Sequence, residues 1–105
     1  MKVHVTEIDI TKLTKVAANL TGRAEGAADI LMPYLSKLKP QLVVSIGECD
    51  YEIVYGKERG EIIEELNRWL WKTKIDWAAE IVAEKYGIKR VWIIYGEWDT
   101  LLVFI

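Results

Sequence analysis

The sequence predicts an α+β domain: an antiparallel sheet of about five strands with helices packed on one face. Three observations lead there. Residues 42–46 and 51–55, and again 91–95 and 100–105, are short apolar runs joined by a Gly-Glu-x-Asp tetrapeptide, the pattern of two hairpins. Residues 11–39 and 58–86 instead carry apolar side chains at helical spacing. The length of 105 residues, with 51% hydrophobic and 29% charged residues, suits one globular domain spanning 1–105.

The elements follow in order. Lys2, Val3, His4 and Val5 alternate as in a half-buried strand, and Ile8 and Ile10 then fall on the opposite parity. That phase change predicts a bulge or an early strand end near Glu7, and the polar side of the strand suits a sheet edge. From Thr11, a reasonable N-cap, Leu13, Val16, Leu20, Ala24, Ala27, Leu31, Leu35 and Leu38 hold one helical face. Gly22, Gly26 and Pro33 predict a break or kink in it, and Lys39-Pro40 ends it.

The stretch 58–86 reads as two helices. At about 100° per residue, Ile62, Ile63, Leu66, Trp69 and Leu70 point one way, and Ile75, Ala78, Ala79, Val82 and Tyr86 point about 150° away. One straight helix would have to bury both faces. Thr73 is the expected cap of the second helix with Asp76 as its capping-box acid, and Gly87 is the expected stop.

The hairpins align on each other at a shift of 49 residues: Gly47-Glu48-Cys49-Asp50 on Gly96-Glu97-Trp98-Asp99, Val44 on Ile93, Ile53 on Leu102, Val54 on Val103 and Tyr55 on Phe104. An internal duplication is one reading. Recurrence of one turn chemistry is the other, since a glycine that tolerates φ > 0 and an aspartate that accepts turn amides make such turns common.

The stretch Arg90–Phe104, with Val91, Trp92, Gly96, Glu97, Trp98 and Asp99, resembles the central hairpin of the small-ligand-binding effector domains of Lrp/AsnC-type regulators. There a Val-rich strand enters a Gly-x-Tyr-Asp turn and leaves through a second apolar strand. Trp98 stands at the aromatic position, whereas Cys49 departs from the pattern in the first copy, and the helical stretch before the second hairpin is longer than the family's single helix. The resemblance implies a ferredoxin-like fold, a dimer and a small ligand held between subunits. It makes Gly47, Asp50, Gly96, Trp98 and Asp99 the candidate ligand-binding residues.

Several function classes are disfavoured. The formal charge is -2 and no run of lysines or arginines exceeds two residues, so a non-specific nucleic-acid surface is not expected. No apolar stretch has membrane-spanning length, and the opening ten residues do not read as a signal peptide. A single cysteine, Cys49, excludes an intramolecular disulfide and fits a reducing, cytoplasmic setting. Amides are confined to Asn19, Gln41 and Asn67 while Ile, Lys and Glu abound, the bias of hyperthermophile proteomes.

No catalytic or cofactor motif is present, and no cofactor is expected. His4 is the one histidine and reads as a surface residue, and the acids flanking Cys49 argue against a reactive thiolate. If the hairpins pack side by side, Glu48, Asp50, Glu97 and Asp99 could converge, and four carboxylates would suit a hard divalent cation; the preferred reading is that they are hydrogen-bonded, solubilising turn acids and that no metal is held. The tryptophans are expected in the core, with Trp71 the helical one most exposed and Trp98 at a hairpin tip. Both parities of the last hairpin are apolar, with Trp92, Ile94, Leu101 and Val103 on the second side. A sheet in water needs one such face, so the second predicts a homodimer joined through the sheet. The function expected is a non-enzymatic small-ligand- or protein-binding module acting as a homodimer. The alternatives are a small metal-dependent enzyme built on the turn acids and a structural assembly protein.

Overall fold

The computed structural model describes residues 2–9, 31–48, 51–96 and 99–105. In chain order these form β1 (His4–Asp9), a helical turn at residues 31–35 that tightens into a 3-10 turn (Ser36–Leu38), β2 (Leu42–Ile46), β3 (Tyr51–Tyr55), α1 (Gly60–Leu70), α2 (Ile75–Lys85), β4 (Arg90–Tyr95) and β5 (Thr100–Phe104). The strands make one sheet in the order β1-β4-β5-β2-β3. The two hairpins therefore lie side by side, joined through β5 and β2, and β1 and β3 form the edges. The expected caps at Thr11 and breaks at Gly22 and Gly26 fall outside the described residues.

The α+β class and the five strands are as the sequence indicates, but the sheet is mixed. β1 runs parallel to β4, with His4 opposite Arg90 and Asp9 opposite Tyr95, while every other neighbouring pair is antiparallel. Alternation of side chains tells which face a strand buries and not which way its neighbour runs. The β1–β4 register is unbroken, so the phase change at Glu7 is no bulge. As an edge strand β1 leaves Val5, Thr6 and Ile8 all half-buried, and either parity serves. A ferredoxin-like arrangement calls for the order β-α-β-β-α-β. Here two consecutive helices precede β4, and a hairpin adds β5.

α1 and α2 cover one face of the sheet. Leu42, Val44 and Ile46 of β2, Val91 and Ile93 of β4, and Leu102 and Phe104 of β5 meet Ile62, Ile63 and Leu66 of α1 and Ala78, Ala79, Val82 and Ala83 of α2. The four small side chains let α2 lie close to the strands. The split into two helices, each burying its own face, follows the sequence pattern. The caps differ from it in part. Lys74, not Thr73, is the N-cap of α2, and no side chain closes that end. Gly87 does stop α2, at φ 69°: its N–H donates to Glu84 O and the N–H of Ile88 donates to Ala83 O, the paired bonds of a Schellman motif.

The opposite face is not left open. Val43, Ile94, Leu101 and Val103 pack against Leu31 and Leu35, with Trp92, Val54, Met32 and Leu38 at the margin. Ile94, Leu101 and Val103 have no exposed surface within the single chain. This corrects the expectation that helices cover one face only and that a partner subunit must cover the second. The helical turn at 31–35 supplies the missing layer, and the doubly apolar hairpin is the middle of a three-layer sandwich.

α1 and α2 are tied by a shielded carboxylate. Glu65, 8% exposed, accepts hydrogen bonds from Lys85 Nζ (2.9 Å) and Trp69 Nε1 (3.1 Å), with Arg68 Nη1 3.4 Å away. The Lys85 bond first, then the Trp69 bond, hold the carboxyl below its ordinary value of 4.5 against the opposing effect of burial. A depressed folded-state pKa contributes stability that is present above 4.5 and lost as pH falls through the folded value. Glu65→Gln should therefore flatten the acid limb: the unfolding midpoints of parent and variant, followed by circular dichroism, separate most near neutrality and converge in acid. Equal separation at all pH values would show that the charge is not what Glu65 contributes.

Candidate functional site

The two hairpin turns come to one end of the sheet because β5 pairs with β2. The register places Asp9, Tyr95, Thr100, Ile46 and Tyr51 in a row across all five strands at that end. Just beyond it lie the turn residues Gly47, Glu48, Gly96 and Asp99, with the Gly96 N–H donating to Asp99 O at 2.9 Å to close the second turn. Of the residues singled out in the sequence, the sheet thus brings Gly47, Glu48, Gly96 and Asp99 together. Cys49, Asp50, Glu97 and Trp98 lie outside the described residues. Among the described residues, no three metal-ligating side chains gather.

The equivalence of the hairpins holds for most of their length. Val44 and Ile93 both face α1 and α2, as do Ile53 and Leu102, whereas Val54 and Val103 both face the opposite layer. It fails at Tyr55. Val43 sits opposite Tyr55 while Val44 sits opposite Ile53, a register shift in which Val54 and Tyr55 together span one residue of β2. Paired residues share a face, so the bulge moves Tyr55 to the layer of Val43, whereas Phe104 remains in the other core.

Further side chains, of which the sequence did not single out Tyr95, complete this end. Tyr95 donates its hydroxyl proton to Glu7 Oε1 at 3.2 Å across the parallel pair. Burial first, then the negative charge of Glu7 and the hydrogen bond to it, and last the charge of Asp76, push the phenol above its ordinary 10.0. Tyr95 is thus a fixed hydrogen-bond donor and not an anion. Asp76 reaches this neighbourhood because α2 runs antiparallel to β4 and starts where β4 ends. The turn between α1 and α2 carries Trp71, 67% exposed, and the first turn of α2 carries Trp77, 62% exposed. Trp71 is exposed as the sequence suggests, with its indole N–H donated to Asn67 Oδ1 at 3.2 Å.

Trp77 corrects the expectation of a core tryptophan. The signal was present: Trp77, Glu80 and Glu84 recur at i, i+3 and i+7, on the polar side of α2. Tyr95 and Glu7 had no such signal, because they are 88 residues apart and meet only through the β1–β4 pairing. Chemically, this end can stack, donate and accept hydrogen bonds, and the described residues place no activated nucleophile there.

Comparison with protein-family models, curated protein sequences and solved structures gives no match to this chain. Among the described residues, no helix is long and apolar enough to cross a membrane.

Proposed function

We propose that this chain is a non-enzymatic binding module, acting as a homodimer, whose docking surface for a small ligand or protein is the turn end of the sheet. The observation that carries the reading is the exposure of two large indoles, Trp71 and Trp77, at the end where both hairpin turns, Tyr95 and Glu7 also lie. Tryptophan and tyrosine lead the residues that anchor interfaces, because each contributes a wide rigid surface with one polar atom. The acids around them, Glu7, Glu48, Asp76 and Asp99, would favour a partner bearing positive charge or hydrogen-bond donors. A single cysteine fits a reducing compartment, where such a module would work.

The test is native mass spectrometry of the gently purified protein beside the Trp71→Ser/Trp77→Ser variant. Both substitutions are on exposed positions and should leave the circular dichroism spectrum unchanged. A bound small molecule or protein carried by the parent and lost from the variant is the expected result. An identical set of bound species on both proteins would remove the turn end from consideration.

A further inference from the structure

We propose that two copies of this chain join edge to edge through β3, antiparallel about Ile53, into one continuous ten-stranded sheet in which Glu52 of each copy reaches Lys39 of the other. This rests on the homodimer of the preceding reading and names its surface.

β3 is an open edge. Within the described sheet it pairs with β2 and no other strand, and Tyr51 and Tyr55 are 38% and 48% exposed. Such a strand presents unpaired backbone N–H and C=O groups to any second strand. The opposite edge, β1, carries His4, Glu7 and Asp9 along six residues, whereas β3 has one charge, Glu52, among Tyr51, Ile53, Val54 and Tyr55. Charged side chains are a common means of blunting an edge, and β3 has the fewer of them.

The strand is self-complementary. Turned about a two-fold axis at Ile53, each Ile53 faces its own copy, and Glu52 faces the Val54–Tyr55 pair of the second strand. Directly opposed residues must share a face of the sheet. Parity satisfies this for Ile53 with itself and for Glu52 with Val54; the bulge adds Tyr55 to the side of Glu52 and leaves Ile53 on the side of α1 and α2. Without the bulge, Tyr55 would oppose Tyr51 on the side of Ile53, away from Glu52. The bulge thus sets Tyr55, and the cleft it lines, on the side to which the second copy's Glu52 comes.

Lys39 supplies the second, independent observation. It ends the 3-10 turn in the left-handed region, at φ 52°, a position that glycine fills without strain. Lys39 lines a cleft of about 290 Å3 with Met32, Ser36, Pro40 and Tyr55. Neither Lys39 nor Glu52 has an ion-pair partner among the described residues. The second copy's Glu52, set against Tyr55, arrives at the mouth of this cleft and meets the Lys39 ammonium. Two such pairs form in an isologous interface, each related to the other by the axis.

The experiment is sedimentation equilibrium on the parent at high micromolar concentration, with Glu52→Lys, Lys39→Glu and the double variant beside it. Both positions are exposed, so the variants should keep the parent's circular dichroism spectrum. The parent should be a dimer. Each single reversal opposes like charges twice across the axis and should raise the dissociation constant about tenfold or more, and the double variant should restore it. A monomeric parent overturns the proposal. So does a dimer indifferent to both single reversals, or one that the double variant fails to restore. The Trp71→Ser/Trp77→Ser variant should remain dimeric, so a failure of the turn end as a docking surface and a failure of the β3 dimer are read separately.

Discussion

Leu101→Glu should abolish folding at ordinary temperature. Leu101 lies on β5, the central strand, with no exposed surface, between Ile94 on β4 and Ser45 on β2 and beneath Leu31 and Leu35. Removing the leucine side chain from this cluster forfeits about 2–3 kcal/mol of apolar burial. Seating a carboxylate among these apolar side chains adds several kcal/mol more. The sum approaches the whole stability of a typical domain, roughly 5–15 kcal/mol. Circular dichroism should show no cooperative thermal transition for the variant. Leu101→Ala should remain folded and lose about 2–5 kcal/mol. A folded Leu101→Glu protein with altered oligomeric state would instead show that this face meets another subunit and not the 31–35 turn.

Gly56→Ala should be the most damaging of the small substitutions. Gly56 is buried at φ 89°, and an added Cβ would lie 2.3 Å from Gln41 O and 3.0 Å from Leu42 Cα. Both neighbours are backbone at the start of β2, so neither can rotate away. The left-handed strain and the overlap together should cost roughly 3 kcal/mol, which for a domain of this size lowers the midpoint by about 12–20 °C. Gly87→Ala is the control. At φ 69° it shares the strain, but nothing lies within 4 Å of its Cβ, so the loss should be about 1 kcal/mol. Equal losses at the two sites would show that crowding against Gln41 contributes nothing.

The residues explain what a reader of the sequence can and cannot see. Both hairpins, the α1–α2 break and the stop at Gly87 are local, each encoded within about ten consecutive residues, and each is where the pattern places it. The parallel β1–β4 pair is not local: nothing in Val3–Ile8 specifies a neighbour beginning at Arg90. The covering of Leu101 by Leu31 and Leu35 is equally remote, and an apolar second face looks the same whether a helix or a subunit hides it. At the turn end, the tetrapeptides announced Gly47, Glu48, Gly96 and Asp99, but Tyr95 with Glu7 depended on that same distant pairing. The bulge that redirects Tyr55 left no mark in the sequence, because Val54 and Tyr55 read as an ordinary alternation.

The β1–β4 pairing has a kinetic consequence. His4 lies beside Arg90, and among the described strands β4 is the one neighbour of β1, so the sheet offers β1 no place before β4 exists. Each hairpin closes over a few residues and can form in microseconds, while β1 must wait for a loop of more than eighty residues to close. On a ribosome, β1 would therefore emerge first and dock last, after the final hairpin has appeared. The high contact order this imposes places the domain among slow-folding topologies. Until that docking, the outer side of β4 is exposed as a second edge, with Trp92 and Ile94 along it.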